Sequence, residues 1–179
     1  MLGAEQAAWL VREAAASKAT WKVIASDMPL GLLVPDGDLI EAVGNGLPGA
    51  PGGREHEIAW VLSQFKKRKV RNAIWLTADV HYCAAHHYDP SRAAFTDFDP
   101  FWEVVAGPIN AGTFGPNALD STFGPEVVFS KAADFANQSP AGGNQFFGYT
   151  SIDPRTGVFT VSLRNLFGKV LWTKDITPA

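Results

Sequence analysis

The sequence has few of the residues that would indicate several common classes of site. Cys83 is the only cysteine, so an internal disulfide and a thiol-rich metal site are both excluded. No stretch approaches the roughly 18 consecutive apolar residues of a membrane-spanning helix. The first residues carry Glu5, Arg12 and Glu13 where a signal peptide would be apolar. We therefore predict neither a membrane span nor a signal peptide, and the compartment stays open.

An excess of positive charge is also absent. The chain has 15 Lys and Arg against 18 Asp and Glu, a formal net charge of −3. This balance argues against general nucleic-acid binding. The one basic run, Lys66–Lys69, is expected to be the solvated end of a helix rather than a binding patch.

The chain does contain enough apolar sequence for a sizeable core. It has 179 residues, of which 46% are hydrophobic, and six are tryptophan. That length lies within the usual range of one domain, and no internal repeat is visible. We therefore predict a single domain over residues 1–179.

The first half of the sequence predicts alternating helices and strands. An alanine-rich helix with Leu2, Trp9 and Leu10 on its apolar side precedes a strand, a Gly- and Pro-rich loop, a second helix and a second strand. The order strand, helix, strand predicts that the two strands pair in parallel. The predicted bounds are Leu2–Ala16, Trp21–Ala25, Gly44–Gly53, Arg54–Phe65 and Ala73–Leu76.

The second half predicts mainly antiparallel strands. Phe101–Val105 is one predicted strand, and three more with tight turns between them form a meander. Those three are predicted at Phe146–Ile152, Val158–Leu163 and Lys169–Thr173. The predicted fold class is therefore α/β, or more broadly α+β, with a parallel or mixed N-terminal half and antiparallel C-terminal strands.

The sharpest candidates for chemistry are Asp79 and His81, directly after the predicted buried strand Ala73–Leu76. Ligands of open α/β sheets collect at the carboxyl ends of strands. Alternate side chains of an extended chain share a side, so both residues are expected to face one metal ion. On the tripeptide alone, however, a local role is favoured, in which Asp79 caps a turn and His81 hydrogen-bonds nearby, because metal ligands usually come from several segments.

Other polar residues give weaker indications. His86 and His87 lie in a segment, Ala84–Ser91, that is predicted to be exposed, although either could carry protons to a site. His56 is expected to be a neutral surface residue, and Cys83 a small buried side chain rather than a nucleophile. Asn110 could offer its amide to an anionic substrate or serve a turn, and both interpretations stay open.

Several separate stretches resemble one family. Leu2–Leu10 and Thr20–Pro29 look like the C-terminal portion of PhoD-like alkaline phosphatases. Trp75-Leu76-Thr77-Ala78-Asp79-Val80-His81-Tyr82 resembles the late metal-binding motif of that family. Gly107–Asn117 and Phe146–Gly148 agree with one of its branches. The resemblance covers essentially the whole chain.

The resemblance implies a calcineurin-like metallophosphoesterase architecture, of which this chain would form part: a four-layer αββα sandwich. Asp79 and His81 would then be ligands of metal ions, often iron or calcium, that clamp phosphoryl oxygens and supply a hydroxide nucleophile. Asp27 matches a position that approaches the metals, although Asp is not the residue expected there. The substrates would be phosphate monoesters or diesters, with Asn110 and Tyr82 as candidate contacts. The family also suggests an exported, periplasmic location.

The sequence departs from the family in one respect. The earlier motifs of the family, an Asp-rich set and an Asn-His-Asp type of segment, have no counterpart here. We therefore expect the chain to correspond to the C-terminal half of a metallophosphatase domain, with an incomplete ligand set. The alternative to a phosphoric ester hydrolase is a non-catalytic half-domain that associates with another chain through the open edge of its sheet.

Overall fold

Helix α1 (Ala4–Ala16) and helix α2 (Glu55–Lys67) are the two α-helices of the computed structural model, which describes residues 2–179. Alanine, the strongest helix former, dominates α1. Two acidic residues, Glu55 and Glu57, lie in the first turn of α2, where they interact favourably with the helix dipole. Within residues 2–179, neither helix is long and apolar enough to cross a membrane.

The buried side of α1 differs from the predicted one. Its buried residues are Ala7, Val11 and Ala14, whereas Trp9 is 50% exposed. The small side chains let α1 pack against α2, and the large indole is left outside that contact. The prediction that Trp9 faces the core is therefore wrong, although Leu2 and Leu10 do pack partly against it.

Twelve strands are found within residues 2–179. They are β1 (Lys22–Ala25), β2 (Leu32–Leu33), β3 (Pro35–Asp36), β4 (Leu39–Ile40), β5 (Ala73–Thr77), β6 (Cys83–Tyr88), β7 (Phe101–Val105), β8 (Ala118–Leu119), β9 (Pro125–Lys131), β10 (Phe146–Ile152), β11 (Phe159–Asn165) and β12 (Val170–Ile176). Two short 3-10 helices cover Pro90–Arg92 and Pro140–Gly142.

The main sheet has five strands in the order β1-β5-β7-β6-β9. Strands β1, β5 and β7 are parallel, and β6 runs antiparallel to both of its neighbours. Ile24 of β1 lies opposite Trp75 of β5, so the predicted parallel pairing of these two strands is confirmed. The carboxyl ends of the three parallel strands therefore meet at one edge of the sheet.

The two faces of this sheet are covered by different layers. On one face, Trp75 and Phe101 pack against helix residues such as Ile58 and Phe65. On the other face, side chains that alternate with them along the strands pack against the second sheet, β10-β11-β12. Helices, mixed sheet and antiparallel sheet form three layers, which agrees with the predicted part of an αββα sandwich.

The second sheet is the predicted antiparallel meander. Strand β11 lies between β10 and β12 and buries Phe159, Val161 and Leu163 against the main sheet. The Asp153 carboxylate accepts a hydrogen bond from the Arg155 amide at 2.7 Å, which fixes the first turn. The C-terminal strand predictions are thus confirmed to within a few residues.

The prediction of an exposed Ala84–Ser91 segment is wrong. Residues 83–88 form β6, which lies between β7 and β9 and is covered on both faces. His86 is only 1% exposed, and the half-buried His87 ring contacts Trp102 in a tilted arrangement, with 4.8 Å between ring centroids. Burial arises because β9, which the sequence did not predict, pairs along the whole of β6.

The Gly- and Pro-rich loop at residues 44–53 is irregular, as predicted, and two buried carboxylates hold it. Glu55 is fully buried and accepts hydrogen bonds from the Asn45 amide at 2.9 Å and the Gly52 amide at 2.8 Å. Asp120 accepts one from the Gly46 amide at 3.1 Å. Thr122 donates to both carboxylates and links them.

Candidate functional site

The segments that follow the parallel strands are joined by backbone hydrogen bonds at the carboxyl edge of the main sheet. The Ala78 amide donates to the Asp27 carbonyl at 3.0 Å, and the Ser26 amide donates to the Leu76 carbonyl at 3.0 Å. The segment after β1 therefore lies directly beside the segment that carries Asp79. The structure brings the two predicted acidic residues to the same edge.

The backbone at Asp79 and His81 is not extended. Both residues have left-handed conformations, with φ of 64° and 58°. Strand β5 ends at Thr77, so the expectation that strand alternation orients these side chains is wrong. Asp and His tolerate this region better than most residues, and such conformations cluster at functional sites. Val80 between them is buried, and Asp79 is exposed.

The imidazole of His81 is held from one side. Its Nδ1 lies 2.8 Å from the carbonyl oxygen of Gly112. A carbonyl only accepts hydrogen bonds, so Nδ1 carries the proton. In the neutral ring the lone pair is then on Nε2, which is the arrangement found in metal-binding histidines. The Phe114 amide also donates to the His81 carbonyl at 3.0 Å. The loop that contains Gly112 and Phe114 is therefore bonded to both the ring and the backbone of His81.

Tyr82 contacts the same loop further along, at Gly115 and Asn117. Its side chain is buried, and its hydroxyl accepts a hydrogen bond from the Asn117 amide at 3.3 Å. Gly115 packs so closely on the Tyr82 ring that any Cβ would overlap it. Burial raises the pKa of Tyr82 to about 12. The contacts of Tyr82 are thus with the loop, and its predicted role as a substrate contact stays a prediction.

The remaining predicted site residues are exposed. Within residues 2–179, the carboxylates of Asp27 and Asp79 and the amide side chain of Asn110 make no hydrogen bond or ion pair. Their oxygens are therefore accessible to a ligand. No group of three or more His, Cys, Asp or Glu side chains in the described part of the chain is arranged to hold a metal. Asp79 and His81, with Asp27 beside them, fit part of a metal shell and not a complete one.

A cavity of about 500 Å³ opens next to Asp27. It lies between α1, the end of β1 and the start of α2, and its wall includes Trp9, Met28, Arg54 and Trp75. Trp75 is almost fully buried, and its Nε1 has no hydrogen-bond partner within residues 2–179. The wall thus combines apolar side chains, one cation, the two carboxylates of Asp27 and Glu41, and one buried donor.

Sequence reasoning missed a buried polar cluster behind this edge. Glu103 on β7 is fully buried and contacts His86 and Tyr88 on β6. One signal was available, because Glu103 is a lone charged residue within an apolar predicted strand. Acidic side chains are almost never fully buried unless they are paired.

Two of the minor predictions are confirmed. Cys83 is fully buried, and burial raises the pKa of its thiol to about 12, so it is not suited to act as a nucleophile. His56 is exposed on α2. Cys83 begins β6 at the same edge of the sheet, because Ala84 pairs with Val105 at the end of β7, but its side chain is buried there.

A comparison of sequence with family models identifies a family, and a comparison with solved structures finds a similar fold. A family model described as PhoD-like phosphatase matches residues 1–163. A solved structure described as "Structure of PhoD" is similar to this one, with a TM-score of 0.52 and 16% sequence identity. The match covers 99% of this chain and 35% of that chain, so the present chain spans much less than the length of that protein. No curated protein matches.

The solved structure is too distant in sequence to show more than a common fold. The family model, in contrast, covers nearly all of the sequence, including the segment with Asp79 and His81. This chain belongs to the PhoD-like phosphatase family.

Proposed function

We propose that this chain contributes Asp79 and His81 as metal ligands to a site that hydrolyses phosphate esters, with Asp27 as a further donor. The observation that carries the proposal is the bond between His81 Nδ1 and the Gly112 carbonyl, which leaves Nε2 for a ligand beside an exposed carboxylate. Membership of the PhoD-like phosphatase family supports phosphoric ester hydrolysis as the reaction class.

The donor types are suited to the metals that the sequence resemblance implies. Imidazole binds iron well, and carboxylates suit calcium as well as other hard cations. When bound, such ions would withdraw charge from phosphoryl oxygens and lower the pKa of a coordinated water. The Gly112 carbonyl holds His81 in one tautomer, so the imidazole is oriented before a metal arrives, whereas at Asp79 only the left-handed backbone is defined.

The cavity beside Asp27 offers room for the organic group of an ester. Trp9 and Met28 would contact apolar parts of that group, while the positive charge of Arg54 is opposed by the carboxylates of Asp27 and Glu41 in the same wall. Asn110, on the loop after β7, would donate its amide to a phosphoryl oxygen. The proposed substrates are phosphate monoesters and diesters.

The donor set within residues 2–179 is partial, which favours a second candidate. Strand β1 forms one edge of the main sheet, and Val23 on it is 46% exposed. An exposed edge strand is a template for pairing with another chain. We infer that a non-catalytic half-domain, which associates through β1 with a second copy or with another polypeptide, is the alternative to an enzyme.

Hydrolysis of p-nitrophenyl phosphate with added iron or calcium tests the first candidate. We expect metal-stimulated turnover, lost in His81→Ala and retained in His56→Ala, because His56 is an exposed histidine that does not line the cavity beside Asp27. Equal rates for the two variants would contradict the role of His81.

The association state of the chain, measured by sedimentation, tests the second candidate. Association of the wild-type chain that is abolished by Val23→Lys on β1, combined with an absence of turnover, would favour the half-domain. A monodisperse monomer would count against association through this edge.

A further inference from the structure

Glu103 occupies the centre of the helix-facing side of the main sheet. Its Oε1 accepts a hydrogen bond from the Leu30 amide at 2.8 Å. Its Oε2 accepts one from the Tyr88 hydroxyl at 2.6 Å and lies 3.1 Å from His86 Nδ1. Both oxygens of a fully buried carboxylate are therefore engaged.

The three partners differ in where they come from. His86 and Tyr88 lie on β6, which is paired with β7 in the sheet, so these contacts need nothing beyond the strand register. Leu30 lies 73 residues away in sequence, in the irregular segment that follows β1. Burying a carboxylate is unfavourable unless its lone pairs are matched by donors. The Leu30 amide is the only one of the three donors that ties a loop to the sheet.

That segment, Ser26–Gly31, carries Asp27. At its start the Asp27 carbonyl accepts the bond from the Ala78 amide. At its end Gly31 lies against the cluster, because a Cβ there would be 2.9 Å from the Tyr88 hydroxyl. The φ of Gly31 is not in the left-handed region, so the requirement for glycine is one of space alone.

We propose that Glu103 is a positioning residue for Asp27: its carboxylate clamps the end of the segment Ser26–Gly31 and thereby holds Asp27 beside Asp79. The inference rests on the proposed function in so far as Asp27 is a metal donor. The role of Glu103 is to accept the Leu30 amide, and it does not itself reach the edge of the sheet.

Replacing the acceptor tests this role. Glu103→Leu removes both oxygens and leaves the Leu30 amide without its acceptor. Glu103→Gln keeps a carbonyl oxygen for that amide, and its NH₂ group faces the Tyr88 hydroxyl and His86 Nδ1, which both can accept. Val104→Ala is the matched control, since Val104 is the buried neighbour on β7 whose side chain faces the second sheet.

Two readouts are recorded on each variant by NMR: hydrogen exchange of the Leu30 and Gly31 amides, and broadening of amide signals by added Mn²⁺. In Glu103→Leu we expect hydrogen exchange at the Leu30 amide to be about tenfold faster than in the wild type, or more, after correction for any change in global stability. We also expect Mn²⁺ broadening at Asp27 to fall at least about twofold relative to Asp79 and His81. In Glu103→Gln we expect exchange at Leu30 and broadening at Asp27 to be close to their wild-type values. Val104→Ala should change neither readout.

Unchanged exchange at Leu30 in Glu103→Leu, or the same changes in Val104→Ala, would overturn the proposal. If Glu103→Leu does not fold, Gly31→Ala pushes the segment away from the cluster and should shift both readouts in the same direction. An absence of Mn²⁺ broadening at Asp27, Asp79 and His81 in the wild type would contradict the metal site, and the positioning role with it. The exchange measurement would still report whether Glu103 clamps the segment.

Discussion

Two sets of carboxylates in this fold differ in burial and in hydrogen bonding. The interior set is Glu55, Glu103 and Asp120, which are buried and whose oxygens accept hydrogen bonds. The edge set is Asp27 and Asp79, both exposed and without such donors in the described part of the chain. The interior charges hold loop amides to the rest of the fold, whereas the edge charges leave their lone pairs accessible to a ligand from solvent.

His81 shares one property with each set. One of its ring nitrogens is committed to the Gly112 carbonyl, as the interior carboxylates are committed to amides. The other nitrogen is left to a ligand, as the edge carboxylates are. This division predicts that replacing an interior carboxylate mainly lowers stability and that replacing an edge carboxylate mainly weakens binding. Glu103 is the one interior residue that also acts on the edge, through the segment that carries Asp27.

The largest expected effect is on the interior set. Glu55→Ala removes the acceptor for two loop amides and for Thr122, and we expect the free energy of unfolding to fall by about 3 kcal/mol. Urea denaturation measures it. The control is Glu126→Ala, whose exposed ion pair with Arg92 spans 3.4 Å and should contribute at most about 1 kcal/mol. Similar losses in the two variants would break the contrast between buried and exposed carboxylates.

The next effect tests the loop that holds His81. Gly115→Ala places a methyl group on the Tyr82 ring, in addition to the left-handed φ of 78°, and should cost about 2 kcal/mol or more. Gly168→Ala is the control, because its φ of 79° is nearly the same but no atom lies within 4 Å of the added Cβ. It should cost only about 1 kcal/mol, the backbone contribution. Equal costs in denaturation would show that the Tyr82 contact is not tight.

A smaller effect should follow from burial of Tyr82. Its pKa is raised from 10.0 to about 12, mainly by desolvation. Between these values the unfolded chain releases the phenolic proton while the folded chain keeps it, so stability falls as pH rises through this range. Tyr82→Phe should make the fall less steep in denaturation curves at alkaline pH. An unchanged slope would mean that the Tyr82 hydroxyl is accessible to solvent in the folded protein.

The smallest effect on stability is expected at the edge. Asp79→Asn keeps a residue that tolerates the left-handed conformation and removes only an exposed charge. We expect the free energy of unfolding to change by no more than about 0.5 kcal/mol. A larger loss in denaturation would place Asp79 with the interior set and weaken its assignment as a ligand.

Much of the fold could be predicted from local patterns. Short apolar runs between turn residues are enough to find β5, β7 and the three C-terminal strands, and a crossover helix implies parallel pairing of β1 and β5. Strand β6 was missed because His86, His87 and the following Asp89-Pro90 suggest an exposed segment. Its burial depends on β9, an edge strand that begins with Pro125 and whose pairing is not encoded near β6.

The candidate site could be found only in outline. The position of Asp79 and His81 after a buried strand was enough to single them out. Their left-handed backbone was not predictable, and neither was the contact with Gly112, which lies 31 residues away from His81. The same limit applies to Glu103, since its partner Leu30 comes from a distant loop. Contacts of this kind depend on the whole fold rather than on nearby sequence.

The central claim is that the edge set holds a metal ion, and a Mn²⁺ titration followed by amide signal broadening tests it most directly. The account predicts broadening centred on Asp79, His81 and Asp27, abolished by His81→Ala and kept in His56→Ala. Broadening spread evenly over exposed acidic residues, or unchanged by His81→Ala, would contradict it.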